Sequence, residues 1–178
     1  MRKTRINFGR ILAGVSMMVV VAAVAANAAA KSATPPIPAP AVDNKLASSP
    51  GEETAVLAGG CFWGVEAVYQ HVKGVKVVVS GFAGGKEYAE AVRIVFDPSV
   101  ISYGQILRVF FAVAHDPTQL NRQGPDIGPQ YRSEIFAQDK SQRRIADAYI
   151  AQLQQAGSFD KPIVTLVSGS APFKVAPA

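Results

Sequence analysis

Thr54-Ala55-Val56-Leu57-Ala58-Gly59-Gly60-Cys61-Phe62-Trp63-Gly64-Val65-Glu66 changes its structural period half-way along. The first five residues suit a short buried strand. Beyond the glycines, Val65, Val68, Tyr69 and Val72 recur at helical spacing. Cys61 and Trp63, the only cysteine and the only tryptophan, thus fall where a strand turns into a helix. Gly59 and Gly60 let the backbone turn tightly there, with no Cβ in the way. The first amides of a helix lack internal partners and carry partial positive charge, which favours an anion. Lowering a thiol pKa from about 8.5 to ~7 raises its nucleophilic fraction at neutrality from ~3% to about half. A lone cysteine is more often a small buried hydrophobe. Here the glycine turn, the helix start and the Phe62-Trp63 apolar wall point to chemistry instead.

Working downstream, Val75 to Ser80 is β-branched and reads as a strand, followed by the glycine-rich turn Gly81 to Gly85. That turn lacks the Lys-Ser/Thr and helix of a phosphate loop, which argues against nucleotide binding. Tyr88 to Phe96 is a further strand, ended by Asp97-Pro98. Ser102 is placed to cap a helix whose apolar stripe is Ile106, Leu107, Phe110 and Val113, with Pro117 closing it. Asn121 to Gln130 reads as polar loop and Ser133 to Ala137 as a short strand. Ser141 to Ala156 is an amphipathic helix ended by Gly157, and a last strand runs from Ile163 to Val167. The order β-α-β-β-α-β-α-β predicts an α+β fold: a mixed sheet with helices packed on one side, in ferredoxin-like topology.

Upstream, residues 1–30 resemble a secretory signal peptide. Arg2, Lys3, Arg5 and Arg10 precede an uncharged run, Ile11 to Ala26, and small residues that fit cleavage after Ala28 or Ala30. Ile11 to Ala30 is also just long enough for an uncleaved anchor. An exported protein, periplasmic or extracellular, is the expectation. Residues 31–53 carry Pro35, Pro36, Pro38, Pro40 and Pro50 among Ala and Ser, and read as a flexible linker before a domain spanning 54–178. The formal charge of +5 comes largely from the leader, since all 13 acidic residues lie beyond residue 42. The remaining domain has no basic field for nucleic acid. One cysteine excludes an internal disulfide framework.

Strand alternation places Tyr88, Glu90, Val92, Ile94 and Phe96 on one face. Glu90 is then a carboxyl at the start of an apolar face. If buried it stays protonated and can donate a proton; at a solvated rim it is merely surface. Glu66 is rotated about 140° from Cys61 around the helix and is expected to support that helix rather than face the sulfur. His115 at a helix end could activate a thiol, but the helix dipole explains its place more simply. His71 lies near a turn. One cysteine and two dispersed histidines make no metal-ligand spacing, and neither metal nor cofactor is expected. The donor-rich stretch Asn121 to Ser133 is either a solvated connection or, through Asp126 and Tyr131, the lining of a polar pocket.

Gly59-Gly60-Cys61-Phe62-Trp63-Gly64 resembles the active-site signature of the class A peptide methionine sulfoxide reductases. Ser80 to Gly85, Ala89-Glu90-Ala91-Val92, Phe96-Asp97-Pro98, His115 to Thr118, Asn121 to Gly124 and Gln130 to Ser133 continue the likeness in the family's order. The resemblance implies thiol-dependent reduction of methionine S-sulfoxide, free or in proteins, with Cys61 attacking sulfur and becoming a sulfenic acid. It implies that Phe62 and Trp63 hold the methyl group, that Glu90 and Tyr131 donate to the departing oxygen, and that Asp126 supports the pocket. The family's segment before Ala89-Glu90 is longer and supplies another tyrosine; here Tyr88 is the candidate replacement. With no resolving cysteine, an external small thiol or thioredoxin-like protein must reduce the sulfenic acid. A non-catalytic relative that binds methionine or its sulfoxide in peptides is the alternative.

Overall fold

The computed structural model describes residues 37–177. The leader expectation lies outside that range, as does the linker up to Pro36. Strand β1 (Glu53–Gly59) leads into helix α1 (Phe62–Tyr69), then strands β2 (Val75–Ala83) and β3 (Ala89–Phe96). Helix α2 (Tyr103–Val109) continues as a π-helical turn, Phe110–Ala114. Two-residue strands β4 (Arg122–Gln123) and β5 (Asp126–Ile127) pair with each other, and a 3₁₀ turn covers Pro129–Tyr131. Strand β6 (Ser133–Ala137), helix α3 (Lys140–Gln155), and strands β7 (Leu166–Gly169) and β8 (Phe173–Val175) complete the domain.

The main sheet has six strands in the order β7-β6-β1-β3-β2-β8. All neighbours are antiparallel except β6 and β7. The sheet is therefore mixed, as expected. Helix α1 links β1 to β2 around β3, and α2 links β3 to β6 around β1, so two split β-α-β units interlock. This order is compatible with the ferredoxin-like expectation. Ala55, Leu57, Val92, Ile94, Phe96 and Ile135 present one sheet face to Phe62, Val65 and Tyr69 of α1, Ile106 and Leu107 of α2, and Ile145, Tyr149 and Leu153 of α3. The opposite face carries a smaller cluster, Val56, Ala58, Ala83, Ala89, Ala91 and Phe136, covered by Ala171 and Phe173 of the C-terminal segment. Three helices thus share one side of the sheet.

Four expectations need correction. The last strand begins at Leu166 rather than Ile163, because Val164 N–H donates to Pro117 O at 2.8 Å and Thr165 Oγ1 meets Ser133 Oγ at 2.7 Å, so 163–165 bond outside the ladder. A further strand, β8, follows on the free edge of β2. Val113 leaves the core: the π turn re-phases the helix, so Phe111 is buried and Val113 is 66% exposed.

Finally, Ile37–Glu52 is not a free linker. Ile37 and Val42 pack on the main core. The Gln152 amide grips this segment from both ends, donating to Ala39 O and accepting from Ala41 N–H, both at 2.8 Å. Tyr149 Oη donates to Pro38 O at 2.6 Å and Arg108 Nε to Ile37 O at 3.2 Å. Asp43 accepts from Ser102 Oγ at 2.5 Å and Gly104 N–H at 2.8 Å, reinforcing the Ser102–Gln105 capping box of α2. A proline-rich chain cannot form its own ladder, but its carbonyls can be satisfied by a neighbouring helix face.

Candidate active site

Cys61 is the N-cap residue of α1, free and partly exposed. The turn before it is as tight as the glycines suggest. A Cβ on Gly60, whose φ is +91°, would lie 2.5 Å from Gln123 Cβ. One on Gly59 would meet Phe110 Cε2 at 2.9 Å and His115 Cγ at 3.1 Å. Gln123 is itself pinned by its amide, which accepts from Asp116 N–H and donates to Asp116 O, each at 3.1 Å. The sulfur-bearing residue is thereby held between the end of β1 and the Asn121–Gln130 loop.

No side chain of its own caps α1. Instead, the first helical amide, Phe62 N–H, donates to Glu90 Oε2 at 3.2 Å. The sheet arranges this meeting. Leu57 pairs with Val92, and two residues further the same register brings Gly59 level with Glu90. Glu90 falls between the two readings, partly buried: the carboxyl lies at the α1 N-terminus, bonded to the residue after the thiol. Burial raises its pKa above the ordinary carboxylate range; the Phe62 amide opposes this, and the negative charge of Asp126 adds to it. Asp126 therefore faces the same site, on β5 of the small hairpin.

Phe62 is buried, at 9% exposure, whereas Trp63 is 73% exposed. Their rings are tilted at 5.8 Å. Phe62 also meets Phe82 edge-on at 5.6 Å, and Phe82 meets Tyr88 at 5.0 Å. An aromatic row therefore runs from beside Cys61 to Tyr88. Tyr88 is not on the strand as its spacing suggested, since β3 begins at Ala89. Arg132 explains why: its guanidinium donates to Glu87 O at 2.9 Å and Tyr88 O at 3.2 Å, drawing both carbonyls away from the ladder. The same guanidinium donates to Pro129 O at 2.9 Å and to Glu134 Oε2 at 2.6 Å. The opposite oxygen of Glu134 accepts from Ser168 Oγ at 2.5 Å. Arg132 thus ties the loop carrying Tyr88 to the turn carrying Tyr131. That turn packs beside β3, at the end of the sheet where β1 reaches Cys61.

Glu66 plays the supporting part expected of it; His115 is also structural, but the dipole explanation fails because the ring is buried and uncharged. Glu66 accepts from Ser80 Oγ and from Gln70 Nε2 at 3.0 Å, pinning α1 to β2. His115 stacks on Phe110 with ring centres 3.9 Å apart, while its ring nitrogens meet Phe110 O at 3.0 Å and Ser133 Oγ at 2.7 Å. Burial pushes its pKa down to about 4, so it is neutral at physiological pH. With both nitrogens occupied it supports the turn under Gly59 rather than serving the thiol. Among the described residues no group of three or more His, Cys, Asp or Glu is placed to hold a metal ion.

Phe82, Gln123, Arg132 and Glu134 belong to the site's framework, yet none was singled out by sequence reasoning. Only Glu134 left a usable signal: a carboxylate inside the apolar strand Ser133–Ala137, with a cation two residues before it.

Residues 53–178 match the family model described as peptide methionine sulfoxide reductase. A relative named peptide methionine sulfoxide reductase MsrA 2, from Mesorhizobium japonicum, is 52% identical over 140 residues, covering 71% of each chain. The MsrA of Ralstonia nicotianae is 53% identical over 139 residues, covering 68% of this chain and 72% of its own. Among solved structures, Mxr1 of Saccharomyces cerevisiae in reduced form superposes with a TM-score of 0.64 at 25% identity, over 75% of this chain and 87% of that one. Methionine sulfoxide reductase A of Corynebacterium diphtheriae does so with a TM-score of 0.57 at 31% identity, over 72% of each. A glycine-turned cysteine at a helix start, an adjoining carboxyl with a raised pKa, and this extended similarity agree: the chain belongs to the peptide methionine sulfoxide reductase family.

Proposed function

We propose that this chain reduces methionine S-sulfoxide, free or in proteins, to methionine at Cys61, and so repairs oxidised proteins. The observation that carries this reading is the Phe62 N–H to Glu90 hydrogen bond, which joins a carboxyl of raised pKa to the residue after a partly exposed thiol. Cys61 sulfur attacks the sulfoxide sulfur; the S–O bond breaks as the oxygen passes to Cys61, giving methionine and a Cys61 sulfenic acid. The sulfoxide gains two electrons and the cysteine loses two. Glu90 supplies a proton to the sulfoxide oxygen as its charge develops, with Tyr131 as a second donor. Phe62 and Trp63 take the methyl group, and Asp126 keeps the Glu90 proton in place by repulsion of a second negative charge. Tyr88, joined through Phe82 to the aromatic row, contributes the remaining hydroxyl.

Cys61 is the only cysteine, so two equivalents of external thiol return the sulfenic acid to thiol, leaving a disulfide and water. Mxr1 has been solved in complex with Trx2, and that structure resembles this chain with a TM-score of 0.56 at 25% identity, over 70% of this chain and 81% of that one. A thioredoxin-like protein or a small dithiol is the reductant proposed here. Export rests on the basic, then apolar, then small-residue leader. Cell fractionation with N-terminal sequencing tests it: a chain beginning at Ala29 or Lys31 outside the cytoplasm supports export, and an intact cytoplasmic chain sinks it.

The deciding assay follows the two epimers of methionine sulfoxide with a small dithiol, wild type beside Cys61→Ser. Consumption of the S epimer alone, abolished by the substitution, is the expected outcome. Turnover that survives Cys61→Ser overturns the assignment, and binding of the sulfoxide with no turnover supports the non-catalytic alternative.

A further inference from the structure

A concavity of about 470 Å³ adjoins the aromatic row, lined by Phe82, Gly84, Gly85, Tyr88, Pro172 and Lys174. It lies beside the cysteine site: Phe82 in its wall meets Phe62, the residue after Cys61, edge-on at 5.6 Å. The sheet register gives it a charge. Glu90 pairs with Phe82 across β3 and β2, and Phe82 pairs with Lys174 across β2 and β8. Residues paired across neighbouring strands present their side chains on the same face. Glu90, Phe82 and Lys174 therefore form one transverse row on the active-site side. With strands ~4.8 Å apart, the Lys174 backbone stands about 10 Å from that of Glu90. Phe173 points the other way, its ring under the Arg93 guanidinium at 5.0 Å. Lys174 is exposed and enters no ion pair among the described residues.

We infer that this groove receives the peptide flanking the oxidised methionine, and that Lys174 selects an acidic residue there. This rests on the reductase reading. An extended peptide advances about 3.3 Å per residue, so a lysine side chain anchored ~10 Å away meets a carboxylate one or two residues from the sulfoxide. Tyr88 and Pro172 supply apolar walls for the intervening backbone and side chain, and the two glycines keep the floor open. The charge row also separates functions: a carboxyl that must keep its proton stands at one end, and the only cation lining this groove stands at the other, beyond Phe82.

The test compares blocked pentapeptides carrying methionine S-sulfoxide at the centre and Glu, Gln or Lys two residues away on either side, with a small dithiol and, in parallel, a thioredoxin as reductant. The wild type should favour the Glu peptide over the Gln peptide by about two- to fivefold in kcat/KM, expressed in KM and shrinking with salt, as a partly exposed ion pair allows. Lys174→Gln should abolish the preference and Lys174→Glu should turn it toward the Lys peptide. Turnover of N-acetylmethionine S-sulfoxide amide, which has no charged neighbour, should be the same in all three proteins. An absent wild-type preference, or one untouched by both substitutions, overturns the proposal. So does an effect confined to thioredoxin-driven turnover, which would make the groove a reductant-docking surface. If the uncharged amide is not reduced by the wild type, the reductase reading itself fails, and this failure is distinguishable from the others.

Discussion

Glu90 on β3 and Glu134 on β6 are carboxyls of one sheet, withdrawn from water to different degrees, and their surroundings give them opposite uses. Glu134 is the more buried, at 4% exposure, and is answered by Arg132 on one oxygen and Ser168 on the other. Its charge is matched and its lone pairs are occupied, so it anchors loops. Glu90 accepts from one amide, enters no ion pair among the described residues, and feels the negative charge of Asp126. Partial burial, with the charge of Asp126 added, pushes its pKa up despite the Phe62 amide. A carboxyl is available for proton transfer where it is desolvated and unpaired, and becomes structure where it is desolvated and paired.

The sharpest way to break that comparison is Glu90→Gln. Loss of a general acid should lower kcat by about 10²- to 10⁴-fold with a smaller change in KM, measured with the dithiol assay. The wild-type rate should fall as pH rises through the raised Glu90 pKa, and that limb should be absent in the variant. Stability carries the same sign. With a folded pKa above the unfolded value of about 4.3, the Glu90 contribution is fully present below that value and is lost as pH rises through the folded one. Urea titrations should therefore show Glu90→Gln gaining on wild type between acid and neutral pH. An equal deficit at both ends would contradict the assignment.

Next in size is Arg132→Met, which leaves Glu134 buried without its cation. It should cost about 3 kcal/mol of stability in urea, at the lower end for a buried pair because the arginine side chain is 15% exposed. Arg132→Met with Glu134→Met should recover most of this, since the unpaired charge is gone. If the single variant is as stable as wild type, Glu134 is no anchor. The smallest effect should come from His115→Gln. Its kcat at neutral pH should stay within about threefold of wild type, well short of the ~100-fold loss expected for a general base. With a folded pKa of about 4 against an unfolded value near 6.5, His115 contributes stability that is present above the unfolded value. That contribution is lost as pH falls through the folded one, and this part of the acid slope should be missing in the variant.

Much of the fold was legible because its signals are local. The change of period at Gly59-Gly60, the Ser102 cap and the Gly157 stop each involve residues a turn apart. The segments that escaped lack such a signal. Phe173–Val175 is too short to show alternation and is a strand only because β2 offers a free edge. Ile37–Glu52 has no period at all, and its docking depends on donors from Arg108, Tyr149 and Gln152, far along the chain. At the site, Cys61 was readable as a cysteine at a helix start and Glu90 as a carboxyl on an apolar face. Phe82 looked like one more residue of a glycine-rich turn, and Arg132 like one more donor in a polar stretch.

By itself the sequence determined that one sulfur stands at one strand-to-helix turn, that a carboxyl opens an otherwise apolar strand, and that the elements alternate as an α+β fold. Only the tertiary structure decided which carboxyl meets the amide beside the thiol and which is neutralised. The Phe62–Glu90 contact spans 28 residues and exists because β1 and β3 pair in one register. Local periodicity sets which way a side chain faces; what it faces, and hence whether it keeps its proton, is set by strands brought together from elsewhere in the chain.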